Sequence, residues 1–175
     1  MKIVIITFLF ILSTNIVVNI PEKMEKRIDK EILALFDSDS FDKELIIIDD
    51  EIKMKLPLKF GDDNFYKISI DDSMMGYFYY GQAPSKADVF DYVVIFDENL
   101  IVRKIKILAY REDIGGEIGS KRWLKQFNDL SLVDEIAYSK DIVGISGATI
   151  SARSMTITVN NLLKSLSIIQ SHDAL

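Results

Sequence analysis

Apolar residues recur every four positions along PEKMEKRIDKEILALFD, at Met24, Ile28, Ile32 and Phe36, with lysines and glutamates between them. That spacing lines them up on one side of a helix opening at Pro21. SDSFDKE breaks the pattern as a polar loop, and LIIIDDEIKMKL, an apolar run followed by alternation, predicts a strand. Pro57 and GDDN at 61–64 mark turns. The middle of the chain changes period. FYKISI and MMGYFYYGQ alternate and are rich in β-branched or aromatic residues, and FDYVVIFD and LIVRKIKILAY flank a DENL hairpin turn. In the last strand Ile101, Arg103, Ile105, Ile107 and Ala109 share one face. Val102, Lys104, Lys106 and Leu108 share the other, so one face is expected to be mainly core and the other mainly solvent.

Helical spacing returns in GGEIGSKRWLKQF, with Ser120 as N-cap and Trp123, Leu124 and Phe127 as its buried stripe. SARSMTITVNNLLKSLSIIQ predicts a final helix with Ser151 as N-cap and Met155, Val159, Leu162, Leu163 and Leu166 inward. The order is helix, antiparallel strands, helix, short strand, helix. That is an α+β fold, an antiparallel or mixed sheet with packed helices, rather than an alternating βαβ chain.

The first twenty residues, MKIVIITFLFILSTNIVVNI, stand apart. Lys2 precedes an apolar run and no further charge appears until Glu22, the layout of a secretory signal or an N-terminal membrane anchor. Either reading places the remainder outside the cytoplasmic membrane, in the periplasm or facing the exterior. The division is then 1–20 signal or anchor, 21–60 helix and connecting segment, and 61–175 main domain.

Composition narrows the chemistry. The chain of 175 residues is 49% hydrophobic and 27% charged, enough for one core, and carries a net charge of −6. An acidic chain without a basic block is a poor nucleic-acid binder. The absence of cysteine excludes disulfides, thiolate metal sites, iron–sulfur clusters and a cysteine nucleophile, and a single histidine at position 172 argues against a zinc site or a Ser-His-Asp triad.

One stretch departs from ordinary scaffold: GISGATIS, residues 144–151, crowds small residues and a threonine against the start of the last helix. Gly and Ala allow close backbone approach, and the helix presents unpaired N–H groups and the positive end of its dipole there. Together these suit a phosphate, with the Thr149 hydroxyl at the centre. A plain turn and cap has the same composition.

ISGATISARSMTITVNNLL resembles the attachment segment of the FMN-binding domain family, found in the C subunit of the sodium-pumping NADH:quinone reductase, the G subunit of the Rnf complex and small exported flavoproteins. In many members the SGAT threonine carries FMN through a phosphoester installed by a flavin transferase. The matching residue is Thr149, with Ser146, Gly147 and Ala148 as its lead-in and Ser151 as a serine that often follows. YREDIGGEIGSKRWLKQF is similar to the family's H-x-E-T-P-G-x-G segment, aligning Glu112 and Gly115, while Tyr110 replaces the histidine and Asp113-Ile114 replaces Thr-Pro. The transferase pattern has an aspartate six positions before the threonine; here that residue is Val143, with Asp141 two residues further back.

The resemblance implies an exported electron-carrying flavoprotein that exchanges electrons with a membrane or periplasmic redox partner. Thr149 carries the phosphoester. Ser146, Gly147, Ala148 and the helix start hold the phosphate, and Ser151 and Arg153 stand beside it. The 110–118 loop, with Glu112, Gly115 and Gly116, and a sheet aromatic such as Tyr77 line the ring. An FMN-dependent reductase and a cofactor-free binding module are the alternatives; no dinucleotide fingerprint supports direct NADH use.

Overall fold

The computed structural model describes residues 20–175, so the signal or anchor reading of 1–20 falls almost wholly outside the described residues. Helix α1 spans Glu22–Phe36 and buries Met24, Ile28 and Ile32, as its four-residue spacing requires. Five strands follow in a meander: β1 Asp42–Leu45, β2 Phe65–Ile70, β3 Ser73–Pro84, β4 Val89–Asp97 and β5 Val102–Ala109. Every neighbouring pair is antiparallel, and spatial order equals chain order. Turn chemistry explains the tight links. Asp71 and Asp72 adopt positive φ between β2 and β3, and Leu100 does so between β4 and β5, where the Asp97 carboxylate accepts from the Asn99 and Ile101 amides.

The sheet is covered on both faces. Helix α4, Thr149–Ser171, packs over Tyr79, Phe90, Val94 and Phe96, while α1 packs over Ile68, Phe78, Val93 and Ile95. The expected solvent face of β5 is therefore corrected. Lys104 and Lys106 reach Glu31 of α1, at 2.7 and 3.4 Å, and Leu108 enters the α1-side core. Irregular pairing near Arg103 also brings Val102 into the same cluster as Ile105 and Ile107, breaking the simple alternation.

Three further expectations shift. The first strand lies within the polar stretch, at Asp42–Leu45, because an edge strand is held by its backbone ladder to β2 and leaves acidic side chains in water. The apolar run after it instead leads into a single helical turn, α2, Asp50–Lys53, which buries Ile52. The segment read as a helix from Gly115 is three short pieces: a 3₁₀ turn at Gly116–Gly119, α3 at Lys121–Leu124, and a second 3₁₀ turn at Lys125–Phe127. Ser120 is the N-cap as expected, its hydroxyl accepting from the Trp123 amide. Between α3 and α4 there is no short strand, only one isolated bridge between Tyr138 and Ile142.

Candidate functional site

The two unusual loops of the sequence meet at the start of α4. A side-chain carbon placed on Gly115, which has φ +90°, would lie 2.5 Å from the Ala148 Cβ. One placed on Gly147, φ +80°, would lie 2.9 Å from the Ile114 Cγ2. Both glycines combine a left-handed backbone with a close approach, so the 110–118 loop and the 144–149 turn pack with no side chain to spare.

The N-cap of helix α4 lies three residues earlier than its sequence suggests. Its N-cap is Ala148, which has no side-chain oxygen to donate to, and the first intrahelical bond runs from the Ala152 amide to the Ala148 carbonyl. The Thr149, Ile150 and Ser151 amides are therefore left without a helical partner. Ser151 cannot cap them: it is 2% exposed and its hydroxyl pairs with that of Tyr110 at 3.1 Å.

Thr149, Ile150 and Ser151 border a cleft of about 480 Å³ lined also by Gly147, Tyr110, Glu112 and Lys86, within the size range of small-ligand sites. Thr149 and Ile150 also border a second cleft of about 450 Å³ beside Arg153. Ser146 turns to a third, about 860 Å³, walled by Trp123 and Arg122. Thr149 is exposed, and its hydroxyl has no hydrogen bond to protein among the described residues. The 23-residue α4 thus presents an uncapped positive end and a free hydroxyl to open space.

Other sequence candidates have more specific places. Glu112 is tied to the link between β3 and β4 through one of its two oxygens. Its Oε1 accepts from the Ser85 hydroxyl at 2.5 Å and from the Ala87 and Asp88 amides at 2.7 and 3.3 Å. Those donors, Ala87 first, hold its carboxyl below the usual range. Arg153 is exposed and lies over the Tyr138 ring, 5.4 Å from its centroid. Gly116 faces open space.

Tyr77 is a correction. It lies seven residues along β3 from Pro84, roughly 23 Å at 3.3 Å per residue, and stacks on Phe65 inside the core. An aromatic-rich strand fills the core before it lines a ligand. Tyr110, at the end of β5, is the aromatic that lines the cleft; its place in the YRED segment was the available signal.

The turn before Thr149 is held from behind. The Trp123 indole donates to the Val143 carbonyl at 2.7 Å, and the Val143 amide donates to Gln126 Oε1 at 2.8 Å. The Val143 side chain stays 69% exposed. Asp141 is engaged elsewhere, accepting from the Ala137 amide at 2.8 Å. Trp123 and Gln126 as loop clamps were not legible beforehand, since a tryptophan at helical spacing signals only burial.

With this geometry in place, the region can be compared with known proteins. Residues 87–164 match the FMN-binding domain family. The match spans β4, β5, the 110–118 loop and most of α4, so both loops that form the cleft fall inside it. The crystal structure of Shewanella oneidensis NqrC has the same fold, with a TM-score of 0.62 and 12% identity over 87% of this chain and 99% of that one. No curated protein matches the chain by sequence. The α+β expectation stands: a five-stranded antiparallel sheet with packed helices, and the match supports FMN as the cofactor class.

Proposed function

We propose that the protein is an exported electron carrier that binds FMN at the start of α4 and is tethered to it through Thr149. The observation that carries this reading is the uncapped end of α4 beside a free Thr149 hydroxyl, within the segment that matches the FMN-binding domain. The residues present fit a phosphate monoester. The three unpartnered amides at the positive end of the helix belong to residues that border the cleft, and Gly147 lets the backbone approach an oxygen closely. FMN would supply the redox chemistry, and the protein supplies its orientation and surroundings.

Thr149 is the attachment point in this reading because its oxygen lies at the anion site and is not spent on a cap. In this reading a flavin transferase would form the bond between that oxygen and the phosphorus of an activated flavin phosphate, the hydroxyl losing its proton as the activating group leaves the phosphorus. The resemblance to NqrC supports a membrane redox partner, and the N-terminal apolar run supports export or anchoring. Tethering suits a compartment where a lost cofactor is not replaced.

Intact mass of protein coexpressed with a flavin transferase tests the reading. The expected gain is one FMN less one water, absent in Thr149→Val. Yellow protein of unchanged mass would overturn the tether and keep FMN; colourless protein of unchanged mass would overturn both.

A further inference from the structure

We propose that Lys86 is the cation that completes the phosphate end of α4, and that Glu112 is the positioning residue that holds it there; this rests on the FMN reading above. Among the described residues Lys86 is the one cationic side chain lining the cleft of about 480 Å³, Arg153 bordering the other cleft at Thr149, and it makes no ion pair among them. It belongs to the link between β3 and β4, one residue before the start of the matched family segment at 87.

That link is fixed. The Ser85 amide donates to the Asp88 carbonyl at 2.8 Å, which closes the turn on itself and leaves the single hydroxyl proton of Ser85 to the shorter contact with Glu112. Glu112 then gathers the Ser85 hydroxyl and the Ala87 and Asp88 amides on one oxygen, binding the turn to the loop after β5. That loop ends at Gly115, pressed against Ala148 at the N-cap of α4. The turn carrying Lys86, the glycine loop and the helix end are thus joined as one unit. A bound anion would be met by helix amides from one side and by an ammonium from another. Asp113 and Glu112, on the same rim, oppose the anion, so the lysine is the side chain that offsets them alongside the helix amides.

Glu112 acts on the site through the turn it holds with one oxygen, while its side chain also borders the cleft.

The test uses protein made without a flavin transferase, titrated with FMN and with riboflavin, which lacks the phosphate. Lys86→Gln should weaken FMN by roughly 3- to 10-fold, the range of an exposed charge-assisted contact, and leave riboflavin unchanged. Lys86→Arg should restore FMN affinity. Glu112→Ala should weaken FMN in the wild-type background and have little further effect in Lys86→Gln. Unchanged FMN affinity in Lys86→Gln, or an equal loss for riboflavin, would overturn the role of Lys86. Additive losses in the double variant would overturn that of Glu112. Wild-type protein that binds neither flavin would instead overturn the functional reading on which both depend. Thermal melting of each variant, expected to stay near wild type for Lys86→Gln, separates binding from folding.

Discussion

Gly115 and Ala148 touch across the two loops of the site, so closely that a Cβ on the first would lie 2.5 Å from the Cβ of the second. The contact sets how the 110–118 loop lies against the end of α4, and hence the width of the cleft. Gly115→Ala should cost about 1–3 kcal/mol through backbone strain at φ +90° together with the clash, read as a lower melting temperature. It should also weaken FMN. Adding Ala148→Gly should recover the part due to the clash and leave the part due to φ. Full recovery would show that backbone strain contributes nothing.

Position 143 should control tethering without controlling folding. Its backbone is held by Trp123 and Gln126 whatever its side chain, and the side chain is exposed. Val143→Asp restores the residue that the transferase pattern places there. The flavinylated fraction by intact mass should rise, with the melting temperature within a degree or two of wild type. An unchanged fraction would remove Val143 as the limit on attachment.

The clamp itself should be measurable. Trp123→Phe keeps most of the packing against Phe127 and removes the indole donor to the Val143 carbonyl. A loss of about 1 kcal/mol is expected in chemical denaturation. FMN affinity should fall as well, because the turn before Thr149 loosens. Gln126→Ala should act on the same turn, so the two losses should be less than additive.

Acid should weaken the fold at two partly buried carboxylates. Asp91 is buried, which pushes its carboxyl up, but donors from Gln82, Tyr80 and Arg111 outweigh burial and hold it below its ordinary 3.8. Glu31 behaves alike. Burial opposes, yet Lys104 and Lys106 bring it below its ordinary 4.5. For a carboxylate lowered by folding, the stabilisation is complete above the ordinary value and fades as pH falls through the folded one. Stability should therefore drop below about pH 4.5, and the slope should be shallower in Glu31→Gln. An identical pH profile in that variant would show that the lysine contacts contribute nothing in solution.

Much of the architecture is written locally. Four-residue spacing from Met24 to Ile32 and alternation through β2–β5 determine a helix and a meander, because burying one stripe or one face is the only use for such patterns. The SGAT stretch equally marked the start of the last helix. Tertiary structure decided what one-dimensional pattern leaves open. It covered the second face of the sheet with α1, so that Lys104 and Lys106 pair with Glu31 instead of facing only water. It moved the start of α4 to Thr149 by giving the Ser151 hydroxyl to Tyr110, and it sent Tyr77 into the core while bringing Tyr110 to the cleft. It also made Glu112 the anchor of a turn 24–27 residues away in sequence. Each depends on which distant groups compete for the same hydrogen bond or the same buried space, and that competition exists only once the sheet has formed.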